Sequence, residues 1–414
     1  MVRFRVSVFY FLFSFCTGFI LLFPIPYYFL PETGNFFEPL VLPFIKSIAH
    51  AFFGVSDPFT AHLYSDSVSL YVLVFLLGVI SVLVSVFSVF LNGREVNEKS
   101  KYIFYTLITY FLALTLFKYG ADKIFKHQFF LPEPNTLFTP VGQLTPDLLF
   151  WSSMGTSYSY TVFSGIMEII PAVLLLFRKT RFAGALISTG VLINVVMINF
   201  GFDITVKIFS MFLLLCALIL VSTNGKPLFR FLFRNENATI VQHEIKINDR
   251  KKLLLYLFLK TSVIGLFLVE SFSIYFELNN LNDDFYPRPP LHGAYDVNVF
   301  YQDGKLVPAS LENPDRFKRI FIHRRSYFII QTMDDRFIDY DLKLDTMNQI
   351  MRIEKYWISP SEETDLYYKQ QGNHLHITGK FFDFFLEIST NQINLDTLPL
   401  LRERWHWTIE DFRD

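Results

Sequence analysis

The sequence predicts a polytopic α-helical membrane bundle of about seven spans followed by a C-terminal antiparallel β domain. Three observations carry that prediction. The 414-residue chain is 52% hydrophobic and holds 50 Phe, more apolar than an ordinary soluble domain. The excess falls in runs of about 20 residues over the first two thirds, the length that crosses a bilayer. After Glu277 the runs shorten into β-branched and aromatic stretches separated by turn residues.

Candidate spans are 7–30, 68–92, 102–122, 158–177, 182–201, 204–223 and 252–276. The start MVRFR leads into apolar residues with no small-residue cleavage site, so the first span reads as a retained anchor. Lys and Arg gather in alternate connections: Arg3 and Arg5; Arg94, Lys99 and Lys101; Arg178, Lys179 and Arg181; then Lys226 through Lys252. The positive-inside rule then places the N-terminus inside and, after seven spans, the C-terminal domain outside. In the first outer connection, FFEPLVLPFIKSIAHAFFG is apolar but broken by Pro39 and Pro43, which predicts an interfacial or re-entrant helix. Residues 123–157, with Pro132, Pro134, Pro140 and Pro146, predict an ordered cap. The PLFRFLFR stretch that follows span six is amphipathic and predicts a helix along the inner surface.

Residues 278–293 read as a turn-rich linker. Beyond them DVNVFY, RIFIHR, YFIIQTM, DLYYKQ, HLHITGK and FFLEIST read as strands of a compact sheet or small barrel. Asp303-Gly304 carries a hairpin signal.

Polar residues inside spans are functional candidates by default, because charge at membrane depth is costly. The segment VVMINFGFDITVKIFS holds Asn199, Asp203 and Lys207 around a short outer turn. Helical rise places Glu168, Asn194 and Lys260 roughly 15, 20 and 12 Å from the inner face, so they could meet near mid-membrane. Lys118, Lys207 and Glu270 lie further out, at roughly 24, 22 and 27 Å. Lys118 with Asp122, and Asp203 with Lys207, are i,i+4 pairs sharing one helix face. Such pairs clamp helix ends structurally or frame the mouth of a binding site. Glu168 is the hardest to assign to mere snorkelling. Gly165, Gly184 and Gly190 read as close-packing positions. His127 and Gln128 end span three as interfacial donors or ligands. Near the C-terminus Arg404, Trp405 and His406 close the sheet or line a binding groove.

Other chemistry lacks support. A net charge of −1 and the absence of nucleic-acid motifs argue against nucleic-acid binding. Cys16 and Cys216 form no CxxC, and no HExxH or paired-histidine spacing lies on a span, so no metal is expected. The two thiols read as buried small hydrophobes or as a redox pair.

FKYGADKIFKHQF, the FTPVGQLTP loop and FSGIMEIIPAVLLLFRKTRFAGALISTGVLINVVMINFGFDITVKIFS together resemble the DoxX-like membrane proteins of bacteria. The likeness runs from Leu112 to Val221 and more loosely over 286–407, where PPLHGAYDV, DRFKR and LLRERWHW carry it. It implies a DoxX-like four-helix core in spans three to six. It also implies recurring polar positions at Gly120, Lys123, Gln128, Glu168, Arg178, Asn194, Asn199, Asp203 and Lys207. The chain departs from the family in reading FDITVK where Tyr-Asp-Val-Pro-Val-Lys is usual, and in its acidic end. The resulting divisions are 1–100 (N-terminal spans and outer loop), 101–224 (core), 225–277 (inner loop and last span), 278–293 (linker) and 294–414 (extracytoplasmic β domain). The expected location is the bacterial cytoplasmic membrane, with the β domain in the periplasm.

The expected function is binding of a hydrophobic small molecule, quinone or lipid, or an accessory role in an envelope complex. Glu168 and Asn194 would then orient a head group, with Asp203 and Lys207 at the outer mouth. Membrane lipids are the expected partners, with an envelope protein engaged through the β domain. The alternatives are a component of a quinone-linked oxidoreductase, one family relative being a subunit of a thiosulfate:quinone oxidoreductase, and a transporter.

Overall fold

The computed structural model describes residues 2–23, 33–55, 63, 65–92, 95–237, 239–240, 249–357, 362–402 and 408. Two compact units divide the chain: Met1–Phe129 with Ser159–Asp283, and Phe130–Tyr158 with Asp284–Asp414. In chain order the helices are α1 Val2–Leu22, α2 Thr33–Phe53, α3 Val68–Asn92, α4 Glu98–Ile124, α5 Pro134–Leu137, α6 Pro146–Thr156, α7 Tyr158–Leu176, α8 Arg181–Gly201, α9 Lys207–Ser222, α10 Gly225–Arg234 and α11 Arg250–Glu277. Strands follow: β1 Gly293–Gln302, β2 Lys305–Leu306, β3 Phe317–Ile322, β4 Tyr327–Thr332, β5 Phe337–Asp345, β6 Ile350–Lys355, β7 Glu362–Gln371, β8 His374–Phe381 and β9 Phe384–Gln392.

The first unit is the helical bundle. Among the described residues, six helices (α1, α3, α4, α7, α8 and α11) are long and apolar enough to cross a membrane. The expected sixth span is shorter than its apolar run: α9 has 16 residues and reaches spanning length only with α10, bent 75° from it. Caps mark two starts. Asn97 accepts from the Lys99 amide at 2.8 Å, and Asp249 from the Lys251 amide at 2.8 Å, satisfying donors that a helix leaves open. Pro39 and Pro43 do not break α2, which runs through both and turns Ile45 and Ala49 into the core.

Aromatic stacking joins α1 to α9: Phe19 meets Phe212 at 4.1 Å between centroids, and Phe23 meets Phe209 at 4.6 Å. Cys16 and Cys216 are free, fully buried and adjacent in that core. Between α4 and α7 the contact is backbone on backbone. A Cβ at Gly120 would stand 2.8 Å from the Gly165 carbonyl oxygen, and one at Gly165 would stand 2.6 Å from the Gly120 oxygen. Gly184 likewise lies against the Leu175 amide at 2.8 Å, whereas Gly190 faces open space and is no packing position within the chain.

The second unit is a closed β-barrel. Neighbouring strands pair antiparallel from β1 through β3 to β9, and β9 returns to β1; β2 hangs from β1 through the Asp303-Gly304 hairpin. Both turn residues have positive φ, +49° and +75°, which Asp-Gly tolerates in a hairpin of this hand. Closure leaves no free edge. Large side chains, among them Tyr295, Phe300, Phe328, Met351, Leu366 and Ile388, fill the interior. At β3 and β4 the outer face is also apolar: Phe321 and Ile329, with Ala294, are buried there beneath Phe138, Phe337 and Leu395. Both faces being covered explains why RIFI and FII lack strict alternation.

The proline-rich segment between α4 and α7 therefore folds as part of the barrel unit. Arg319 lies over the Phe138 ring at 4.7 Å and Arg324 over Phe130 at 4.4 Å. Glu133, buried, anchors the segment. Its carboxylate accepts from His292 Nε2 at 3.1 Å, from the Arg324 amide at 3.2 Å and from the Arg324 guanidinium; His323 Nε2 stands at 3.7 Å. Burial pushes the Glu133 carboxyl up, but the His292 hydrogen bond and the Arg324 and His323 charges outweigh it and bring it down to about 2. Burial holds His323 below its ordinary value, against the opposing pull of the Glu133 charge.

Two predictions follow from this packing. Gly165→Leu should cost about 1–3 kcal/mol by forcing two backbones apart, while Gly190→Ala should leave stability unchanged or slightly raised. Thermal unfolding in detergent measures both, and equal effects would contradict the α4–α7 contact. Glu133→Gln should destabilise the barrel unit at pH 7 by on the order of 3 kcal/mol. Because the folded carboxyl sits near 2 against 4.5 unfolded, that stabilisation is complete above pH 4.5 and fades as pH falls toward 2. Urea midpoints of wild type and variant should thus converge in acid. A gap that ignores pH would mean that charge is not what anchors the segment.

Candidate functional site

The Gly120–Gly165 contact brings two charges together. Lys123 and Glu168 each follow their glycine by three residues, and a helical side chain leans toward its own N-terminus. Lys123 therefore reaches back along α4 to the level of Glu168. Its Nζ donates to Glu168 Oε2 at 2.7 Å, with side chains 9% and 6% exposed. The ammonium also lies 5.8 Å from the ring centroids of Tyr119 and Phe129. Charge, hydrogen bond and aromatic faces are thus all supplied within the bundle.

The C-terminal end of α4 holds a second group. Asp122 accepts from the Tyr275 hydroxyl of α11 at 2.5 Å and lies 3.9 Å from Lys118 Nζ. His127 Nε2 meets the Asn280 carbonyl at 2.9 Å. The Gln128 amide N–H bonds back to the Asp122 carbonyl at 3.0 Å. Gln128 Oε1 and Asn280 Oδ1 are buried without a hydrogen-bond partner.

A third group starts α9. Asp66 accepts from the backbone amides of Lys207 at 2.8 Å and Ile208 at 3.0 Å, and stands 3.9 Å from Lys207 Nζ. Lys207 Nζ donates to Asp203 at 2.7 Å. A carboxylate at a helix N-terminus satisfies open amides and the helix dipole at once. Asp203 itself has φ +51° in the turn and a side chain 83% exposed. Asn199 is buried, with its carbonyl receiving the Ile204 amide at 2.9 Å and its Nδ2 unpaired.

Asn194 stands apart. It lies mid-way along α8 on the exposed side and makes no hydrogen bond with any described residue. Ala183, Gly190, Met197 and Gly201 are exposed on the same helix. With Ile187 these positions follow the 3–4 spacing of a helix-packing seam.

The expected meeting of Glu168, Asn194 and Lys260 does not occur. Lys260 Nζ sits over the Phe177 ring at 5.6 Å, and Asn194 faces outward. Equal depth does not fix the helix face: Asn194 lies on the exposed side of α8, and Lys260 reaches the Phe177 ring just past the end of α7. Gly120 lies about 33 Å along α4 from Glu98, while Gly165, which it touches, lies about 17 Å from the end of α7 at Leu176, so those two helix ends are staggered. Arg404, Trp405 and His406 lie outside the described residues.

Asp66, Tyr275 and Glu133 escaped the sequence reading. Asp66 and Tyr275 act on helices remote in sequence, and Glu133 between two prolines looks like any loop acid. Among the described residues no group of three or more His, Cys, Asp or Glu is placed to hold a metal ion. A groove of about 180 Å³ between α1 and α3 is lined by Ser7, Phe11, Val82 and Ser85, and none of the candidate residues borders it.

No family model matches the chain, and no solved structure does. Among curated proteins it is similar to the uncharacterized protein YwoB of Bacillus subtilis (strain 168), 34% identical over 135 residues that take in 30% of this chain and 79% of that protein. With that identity over most of the relative's length, the chain belongs to the family of Bacillus subtilis YwoB.

Proposed function

We propose that this chain is a non-catalytic protein of the bacterial cytoplasmic membrane. Its DoxX-like core, α4 with α7 to α9, serves as an accessory or scaffold subunit in an envelope complex, and its barrel stands on the periplasmic side. One observation carries the reading: Asn194 is a polar side chain exposed in the middle of a membrane-length helix, without an internal partner. An amide in hydrocarbon favours another helix that bonds to it, and Gly190 one turn away lets that helix approach. The strongest titratable candidate, Glu168, is already paired with Lys123. The barrel interior is filled by side chains, which leaves its outer surface for interaction.

Capture of the tagged full chain from mild detergent tests the reading. Asn194→Leu should retain thermal stability yet lose most of a co-purifying membrane protein, by tenfold or more. Unchanged capture would overturn the subunit reading, and loss of a co-purifying quinone instead would support the ligand reading. The role of Glu168 is separable. Glu168→Gln or Lys123→Met alone should destabilise by about 3–5 kcal/mol, since each leaves one buried charge unpaired. The double Lys123→Met/Glu168→Met variant should recover most of that in thermal unfolding. Single variants as stable as wild type would show that the pair does not hold the bundle.

A further inference from the structure

We propose that α10 lies in the plane of the membrane surface and binds anionic phospholipid head groups through Lys226, Arg230 and Arg234. Chain continuity places it. The apolar helix α9 ends at Ser222, and two residues later α10 sets off at 75° to it, which turns it from the spanning direction to the surface. Asn224 makes this corner possible. It is buried, and its carbonyl takes the Leu228 amide at 2.9 Å as the first bond of the new helix. Pro227 falls in the first turn, where its missing N–H is not needed. Asn235 then ends the helix in the left-handed conformation at φ +53°.

The two sides of α10 differ in chemistry. Lys226, Arg230 and Arg234 recur every four residues and so share one face, all of them exposed. Phe229, Phe231, Leu232 and Phe233 are also exposed and occupy the remaining arc. Four large apolar side chains on a ten-residue helix have no protein partner among the described residues that covers them. Hydrocarbon at the interface is the medium that accepts them where a span emerges. A cation row one turn apart is the complement of anionic head groups, each Lys or Arg adding to the attraction. Arg234 packs over Phe229 at 5.9 Å to the centroid, an arrangement that lets the head reach upward while its stem covers the ring. Arg250, Lys251 and Lys252, which open α11 after the same connection, add charge at the same membrane face. The inference does not depend on what the bundle's partner is.

The full chain, purified in neutral detergent, is titrated with phosphatidylglycerol or phosphatidylcholine in mixed micelles, and the rise in Tm is followed. Phosphatidylglycerol should stabilise the wild type, with phosphatidylcholine giving little. The apparent affinity should fall at least tenfold in Lys226→Gln/Arg230→Gln/Arg234→Gln, and in wild type at 0.5 M salt. Lys226→Arg/Arg230→Lys/Arg234→Lys should behave as wild type, which separates charge from fold. Equal response to both lipids, or an unaltered response in the Gln variant, would overturn the proposal. So would an environment-sensitive fluorophore on Leu232→Cys, in a Cys16→Ser/Cys216→Ser chain in phosphatidylglycerol nanodiscs, that reports water in place of lipid.

Discussion

The bundle depends on what hydrocarbon does to an unpaired charge. Moving a carboxylate or an ammonium into a low-dielectric medium costs several kcal/mol even after relaxation. An ionised Glu168 within a span is therefore stabilised when another span brings a cation to it at short range. Lys123 does so, and it can because Gly120 and Gly165 remove the side chains that would hold α4 and α7 apart. The glycines, the ion pair and the antiparallel course of the two helices form one device. A bulkier residue at either glycine separates the charges as well as the backbones. Such a pair contributes less to net stability than to uniqueness of register, because alternative pairings of the helices would strand one charge.

The same accounting of polar groups covers two further carboxylates of the bundle. Asp66 is tied to two backbone amides and a lysine at the start of α9, and Asp122 to a tyrosine hydroxyl and a lysine at the end of α4. Each carboxylate sits at a helix terminus, where open backbone donors or snorkelling cations are within reach. Asn194 breaks this pattern. Its position on a helix between two small residues, Gly190 and Gly201, makes its exposure a property of the isolated chain.

What could be read from the sequence follows the range of the signal. Helix existence was legible because a membrane span is long and uniformly apolar, and six helices satisfy that on their own. The β character of the C-terminal region was legible from alternation, as was the Asp303-Gly304 turn. The strands β5 and β6 were not, because FIDYDLKLD and IMRIEK present so many charges outward that their inward Tyr340, Leu342, Met351 and Ile353 look like scattered residues. Barrel closure by β1 with β9 joins residues about ninety positions apart and has no local trace. The same holds for Glu133, whose partners His292 and Arg324 lie on the far side of four spans of chain. Lys123 and Glu168 were both picked out singly. Their pairing was missed because Lys123 falls one residue past the expected end of the third span, in the expected cap, whereas α4 runs on to Ile124.

The helices α4 and α7 are staggered: from the Gly120–Gly165 contact, α4 extends about eleven residues further toward its N-terminus than α7 does toward its C-terminal end. Arg181 donates to the Leu175 carbonyl at 3.3 Å, which ties the turn back to the end of α7. Arg178 is held there as well, donating to the Tyr256 hydroxyl of α11 at 3.4 Å. Arg178 and Arg181 are thus half-buried, with Lys179 exposed between them, whereas Lys226, Arg230 and Arg234 of α10 are all exposed. The two sets therefore differ physically: Arg178 and Arg181 bond within the bundle, and the α10 cations present their charge outward among the described residues.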